Sequence, residues 1–237
     1  MKMKRHLIFV SLICLLFVVD LHVKEESQAT EQNALLTIDF EEMSPGLTPA
    51  GFSVALTGDG SRAKWTIENR LTGTQTSKVL IQSTTDETSK RFPLCIYNNF
   101  SVRNLDLSVR FLPLSGRIDQ AAGLVWRYQD ENNYYVVRAN ALEDNVVLYK
   151  VEKGKRDDLK PIGAGFFSYG EDAPVPVKQW STLQVVIKDD RFSVFLNGEH
   201  LFDVQDKTFQ SAGKVGLWTK ADSVTAFDNL VIKSTDP

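Results

Sequence analysis

Arg138 and Asn140 stand two residues apart inside a run dense in aromatic rings, with Trp126, Tyr128, Tyr134 and Tyr149 as neighbours in sequence. A guanidinium and a carboxamide offer the hydrogen bonds that hydroxyl groups accept and return, and flat rings cover apolar C–H surface. Together they suit a sugar-like ligand. A competing reading makes Trp126, Tyr134 and Tyr149 core residues and Arg138 a satisfied buried cation. Trp218 is a candidate second platform, because it alternates against Val215 and Leu217, and Lys220 would share its face.

The carboxylates give weaker signals. Asp130 follows Trp126-Arg127-Tyr128-Gln129 in a loop, and Asp222 lies in the turn Thr219–Ser223. They are the lone catalytic candidates, each set against a turn residue satisfying its own backbone. Cys14 and Cys95 are the two cysteines. Cys95 has only His200 as a histidine in the body of the chain, and a buried structural thiol is the expectation there. One histidine and one cysteine are too few for zinc.

The segment that must position Arg138 and Asn140 is Ala121–Val151. It reads as three strands broken at Gln129–Asn133 and at Glu143-Asp144. With Tyr128 opposite Tyr134 and Leu142 opposite Asn145, one face collects Leu124, Trp126, Tyr128, Tyr134, Val136, Arg138, Asn140, Val147 and Tyr149. The other collects Ala121, Gly123, Val125, Val137, Ala139, Ala141, Val146 and Leu148, small and apolar as sheet-on-sheet packing requires. A slip of one residue would exchange the faces.

The rest of the chain has the same grain. Strands are expected at Leu35–Phe40, Phe52–Thr57, Lys64–Leu71, Lys78–Ser83, Phe92–Tyr97 and Leu105–Leu112. After the meander come a hairpin at Lys153-Gly154-Lys155 and an irregular stretch, Asp157–Val177. Further strands are expected at Trp180–Ile187, Arg191–Leu196, His200–Val204, Lys214–Trp218 and Val224–Ile232, with Asn197-Gly198 as a hairpin turn. No long helical period, repeat or charge block appears. The expected fold is an all-β antiparallel sandwich.

Composition bounds the function. The chain has 237 residues and a formal charge of −3. Lys2, Lys4 and Arg5, the apolar run Leu7–Val19 and the small-x-small site Ser27-Gln28-Ala29 read as a secretory signal over residues 1–29. The run is shorter than the ~20 residues that span a bilayer. Cleavage would leave residues 30–237 as one domain with a charge near −4. That charge gives no footprint for nucleic acid or for an anionic membrane. A secreted or periplasmic bacterial protein is the expectation.

Three stretches carry a likeness to a known family: GLVWRYQDENNYYVVRANALEDNVVLYKV (123–151), VVIKDDRFSVFLNGEHLFDV (185–204) and GKVGLWTKADSVTAFDNLVI (213–232). They resemble secreted bacterial domains of the concanavalin A-like lectin/glucanase superfamily, most nearly those described as 3-keto-disaccharide hydrolase or family 16 glycoside hydrolase-like. The resemblance covers roughly residues 36–233. It implies a jelly roll of two curved sheets with carbohydrate on the concave one. It also implies a structural Ca²⁺ between the terminal strands, for which Asp39, Glu41 and Asp228 are the carboxylates available; no other cofactor is expected. Family 16 enzymes place their two carboxyl groups on one strand as Glu-x-Asp-x-(x)-Glu, and this chain has no such run. The adjacent pairs Glu41-Glu42, Glu143-Asp144 and Asp157-Asp158 read as solvated turn residues. The sequence therefore points to a carbohydrate-binding jelly roll without that dyad. A glycoside or keto-sugar hydrolase, and a structural domain whose groove is filled by Asp157–Val177, stand as alternatives.

Overall fold

The computed structural model describes residues 35–72 and 74–236. The expected signal segment, residues 1–29, lies outside them. Sixteen strands follow in order among the described residues: β1 (Leu35–Ile38), β2 (Phe52–Gly58), β3 (Trp65–Thr72), β4 (Gln75–Gln82), β5 (Arg91–Val102), β6 (Leu105–Ser115), β7 (Ala121–Asp130) and β8 (Asn133–Asn140). Then come β9 (Asn145–Glu152), β10 (Lys155–Asp158), β11 (Glu171–Asp172), β12 (Ser181–Lys188), β13 (Arg191–Leu196), β14 (Glu199–Gln205), β15 (Gly213–Trp218) and β16 (Val224–Ser234).

They form two antiparallel sheets. Sheet I runs β14-β13-β12-β6-β16-β4-β3, with β1 added on β16; sheet II runs β10-β9-β8-β7-β15-β5-β2, with β11 added on β9. The first and last strands lie side by side, Ile38 opposite Leu230. The fold is the expected all-β jelly-roll sandwich.

Alternation along the strands builds the core. On β6, Leu105, Leu107, Val109 and Phe111 are buried while Asp106, Ser108 and Arg110 keep partial access to water. They meet Leu183, Val185 and Ile187 of β12 and Phe227 of β16 across from Ala122, Leu124, Val137, Leu148, Val215 and Leu217 of sheet II. Each such side chain contributes about 1.5–3 kcal/mol on burial. Cys95 is a free thiol within this core, and burial raises its pKa, so it has no thiolate character. Two hairpins turn on residue pairs with positive φ, as tight hairpins require: Asn197-Gly198 (52° and 83°) and Lys153-Gly154 (51° and 77°).

Candidate functional site

The face of sheet II turned away from the inter-sheet core carries Tyr134, Val136, Arg138, Asn140, Val147 and Tyr149, as the sequence predicts for β8 and β9. The expected pairing of Leu142 with Asn145 is replaced by Asn140 with Asn145, a shift of two that leaves the faces unchanged.

On β7 the expectation fails for most of the strand. Asp130 pairs with Asn133, but Trp126 pairs with Tyr135 and Leu124 with Val137, so four residues of β7 stand against two of β8 and the register slips by two between them. The step that reverses the faces is a one-residue bulge at Arg127, between Tyr128 and Val125, and its φ of 48° lies in the left-handed region. Beyond it, Leu124 and Trp126 point into the inter-sheet core, and Val125 and Ala121 take the outer face. Trp126 is fully buried, stacked on Tyr135 at 5.5 Å and edge-on to Phe192 at 5.3 Å. It forms no part of a ligand platform. Tyr128, on the near side of the bulge, stays on the outer face beside Tyr134, 5.9 Å between ring centres.

That outer face is concave, and sharply so. Neighbouring strands lie ~4.8 Å apart, so β10 and β5, five spacings apart, would be ~24 Å apart in a flat sheet. Yet the Arg156 guanidinium of β10 stands 4.6 Å from the Phe92 ring of β5. It also lies 4.4 Å from the Tyr149 ring and 5.8 Å from Trp218. Thr57 Oγ1 of β2 likewise reaches Tyr134 Oη of β8 at 2.8 Å. The curl closes the face on itself. Phe92, Leu94, Ile96, Val125, Tyr134, Val136, Val147, Tyr149, Val151 and Trp218 therefore form a second core rather than an open wall.

At one end this interior is polar. Arg138, about 1% exposed, donates from Nη1 to Asn145 Oδ1 (2.5 Å) and from Nη2 to Glu143 Oε2 (2.6 Å), with Tyr169 Oη at 3.4 Å. Asn140 donates to Asp119 Oδ1 (2.8 Å) and Glu143 Oε1 (2.9 Å), and Lys220 pairs with Asp119 at 2.7 Å. Burial works against the Glu143 charge, but the Arg138 guanidinium outweighs it and holds the carboxyl below its ordinary range. Tyr169, from the 159–170 loop, hydrogen-bonds Tyr149 and closes this end. Asp144 holds the segment that follows β11, its carbonyl accepting from Ala173 N and its Oδ1 from Val175 N, both at 2.9 Å. Glu143 and Asp144 lie in an exposed turn, as expected, and each also holds protein groups. Arg138 and Asn140 are turned to the predicted face and are occupied by protein groups.

At the other end a cleft of about 530 Å³ stays open. Gly58, Asp59 and Lys90 form one bank, Lys153, Gly154 and Lys155 the other, and Phe92 and Arg156 lie between them. Sequence reasoning missed it, because its banks come from turns far apart in the chain.

The acidic candidates are braces. Asp130 accepts from Asn132 N at 2.7 Å and Asn133 Nδ2 at 2.9 Å, an Asx turn. Asp222 accepts the amides of Arg117 (2.5 Å), Ile118 (3.0 Å) and Asp119 (3.0 Å). Burial raises the Asp222 pKa, and these bonds bring it below the ordinary value. Asp39 Oδ1 accepts from Glu41 N at 3.2 Å, Glu41 Oε1 from Lys78 N at 3.0 Å, and Asp228 lies 3.6 Å from Arg110. Among the described residues no group of three or more His, Cys, Asp or Glu is arranged to hold a metal.

The sequence matches the family described as 3-keto-alpha-glucoside-1,2-lyase-like domain over residues 39–233. The chain belongs to this family. No curated protein matches the sequence. Among solved structures, the chain is similar to the carbohydrate-binding module CBM66 from Bacillus subtilis, with 20% identity, a TM-score of 0.57, and coverage of 81% of this chain and 99% of that one. It is also similar to domain 4 of AbnA, a GH43 extracellular arabinanase from Geobacillus stearothermophilus solved with arabinotriose. There the identity is 14%, the TM-score 0.51, and the coverage 84% of this chain and 90% of that one. At these identities the likeness shows the fold.

Proposed function

We propose that this protein binds carbohydrate in the cleft between Lys90 and Lys153. The observation that carries the reading is the cleft itself. Its volume falls within the ~300–1,000 Å³ of small-ligand sites, and a ring and a guanidinium line it. It is the open end of a concave face whose other end is closed by the protein's own groups. The edge of Phe92 that reaches the cleft supplies apolar contact, and Arg156 and the lysines meet hydroxyl oxygens. The family and the two similar structures, one named as a carbohydrate-binding module and one solved with an arabinose oligomer, support a sugar as the ligand. The basic start and apolar run within residues 1–29 support export to the periplasm or the medium.

The test is retention of the purified protein on a polysaccharide panel, with released sugar assayed in the same samples. Retention that falls on Phe92→Ala, in protein whose far-ultraviolet spectrum and cooperative unfolding show that it is folded, supports the reading. Retention on no member, or retention indifferent to Phe92→Ala, contradicts it.

The family name favours a second reading, elimination from a 3-keto-α-glucoside. A base would take the C2 proton, acidified by the C3 ketone; the electron pair would form the C1–C2 double bond, and the C1 oxygen would leave with the aglycone. Asp59 is the one carboxylate lining the cleft and would be that base. Product release lost in Asp59→Asn, with retention intact, would establish this chemistry.

A further inference from the structure

The cleft is more basic than the chain that makes it. Four of its eight lining residues, Lys90, Lys153, Lys155 and Arg156, are cationic and only Asp59 is anionic, in a chain whose net charge is −3. Lys155 is paired with Asp157 at 2.9 Å, on the surface. Lys90, Lys153 and Arg156 have no ion pair among the described residues. Arg156 is the most informative. It is half-buried, its guanidinium rests on the rings of Tyr149, Phe92 and Trp218, and its Nη1 is buried without a hydrogen-bond partner. The fully buried arginines have protein partners, though Arg91 Nη2 and Arg138 Nε are also buried without a hydrogen bond. Arg138 has Glu143, Arg127 donates to the carbonyls of Arg103, Phe209 and Asp189, and Arg91 donates to those of Ser61 and Ala221. Arg156 alone of these four rests on aromatic faces at the edge of an open cleft with no side-chain ion pair or hydrogen bond among the described residues.

A partly desolvated guanidinium is completed best by a planar anion, which it meets through paired N–H donors. Flanking lysines add attraction for charge without adding shape. We infer that the cleft takes a carboxylated sugar, a hexuronate unit of an acidic glycan, with the carboxylate toward Arg156 and the lysines. This rests on the reading that the cleft binds sugar, and it narrows the class of sugar.

The experiment is calorimetric titration of the purified protein with trigalacturonate and with its fully methyl-esterified form, which keeps the ring and removes the charge. The acid should bind about tenfold more tightly. That advantage should shrink as salt is raised from low to physiological strength, and should be lost in Lys90→Gln/Lys153→Gln, whose two exposed side chains carry no packing. Arg156→Gln, checked for folding, should lose it too. Equal affinity for acid and ester overturns the inference and leaves the sugar reading standing. An acid advantage that survives the double lysine substitution overturns it as well. Inorganic sulfate displacing trigalacturonate at equal concentration would make this a simple anion site and overturn it. Binding of neither trisaccharide overturns the inference, and the sugar reading falls with it only if the wider polysaccharide panel is also not retained.

Discussion

Arg156 and Phe92 touch across the mouth of a rolled sheet: the guanidinium carbon is 4.6 Å from the ring centre, although four strands stand between β10 and β5. The contact measures how far sheet II curls. It also explains why residues on a nominally outer face are as inaccessible as a core, and why ligand access is left to one end.

If Arg156 ties the two edges together, removing its side chain should loosen the roll. Arg156→Ala is expected to cost about 1–2 kcal/mol in urea unfolding, from lost cation–π attraction and lost cover over Phe92, Tyr149 and Trp218. Arg156→Met should recover part of the cover and none of the charge effect. Unchanged stability in Arg156→Ala would show that the contact is incidental.

The bulge that turns Trp126 inward depends on Gly213 of β15. A Cβ there would stand 2.5 Å from the Arg127 carbonyl carbon and 2.8 Å from Tyr128 N. These are backbone atoms that cannot swing away. Gly213→Ala should therefore destabilise the fold by roughly 2–3 kcal/mol and shift the tryptophan fluorescence. Wild-type stability would mean that the bulge is not held by this approach.

Trp126 separates the two readings of the meander. Buried against Tyr135 and Phe192, it should cost about 3–5 kcal/mol when replaced by alanine. The folded fraction of Trp126→Ala should keep whatever glycan retention the wild type has. Near-normal stability with lost retention would restore it to a ligand platform.

Acid should unfold the protein through Glu143 and Asp222. Burial raises both carboxyls, and their partners outweigh it: Arg138 for Glu143, the amides of residues 117–119 for Asp222. Each folded-state pKa lies below its unfolded value. Their contribution is therefore complete above the ordinary carboxyl range, near pH 4, and is lost as pH falls through the folded-state value. Unfolding free energy measured between pH 7 and pH 2 should drop most steeply below pH 4. Asp222→Ala should flatten that drop and cost roughly 2–4 kcal/mol at neutral pH, since it strands three amides. An unchanged acid limb would contradict the assignment.

Most of the architecture was legible in the sequence because strand alternation is local. β6 and β12 announce their buried faces residue by residue, and Asn197-Gly198 names its own turn. The faces of β8 and β9 were legible for the same reason: an even shift in pairing leaves them unchanged. β7 was not, because one left-handed residue, Arg127, reverses parity, and Arg carries no sign of positive φ. The identity of Trp218 as a concave-face ring was readable from its alternation with Leu217. Its burial was not, since Arg156, which covers it, arrives from across the sheet. The role of Asp144 was hidden likewise: its partner Val175 arrives from the segment after β11, 31 residues on.

The account turns on where a glycan sits, and the four tryptophans of the chain report that directly. Indole N–H signals, assigned by single Trp→Phe substitutions, should be followed by nuclear magnetic resonance as the best-retained oligosaccharide is added. Trp218 lies 5.8 Å from the Arg156 guanidinium and stacks 5.6 Å from Phe92, so its signal should move with the amides of residues 58–59, 90–92 and 153–156. Trp126, in the inter-sheet core, should stay still. A glycan that binds but shifts Trp126, or that leaves Trp218 and those amides unmoved, would place the site elsewhere and contradict the account.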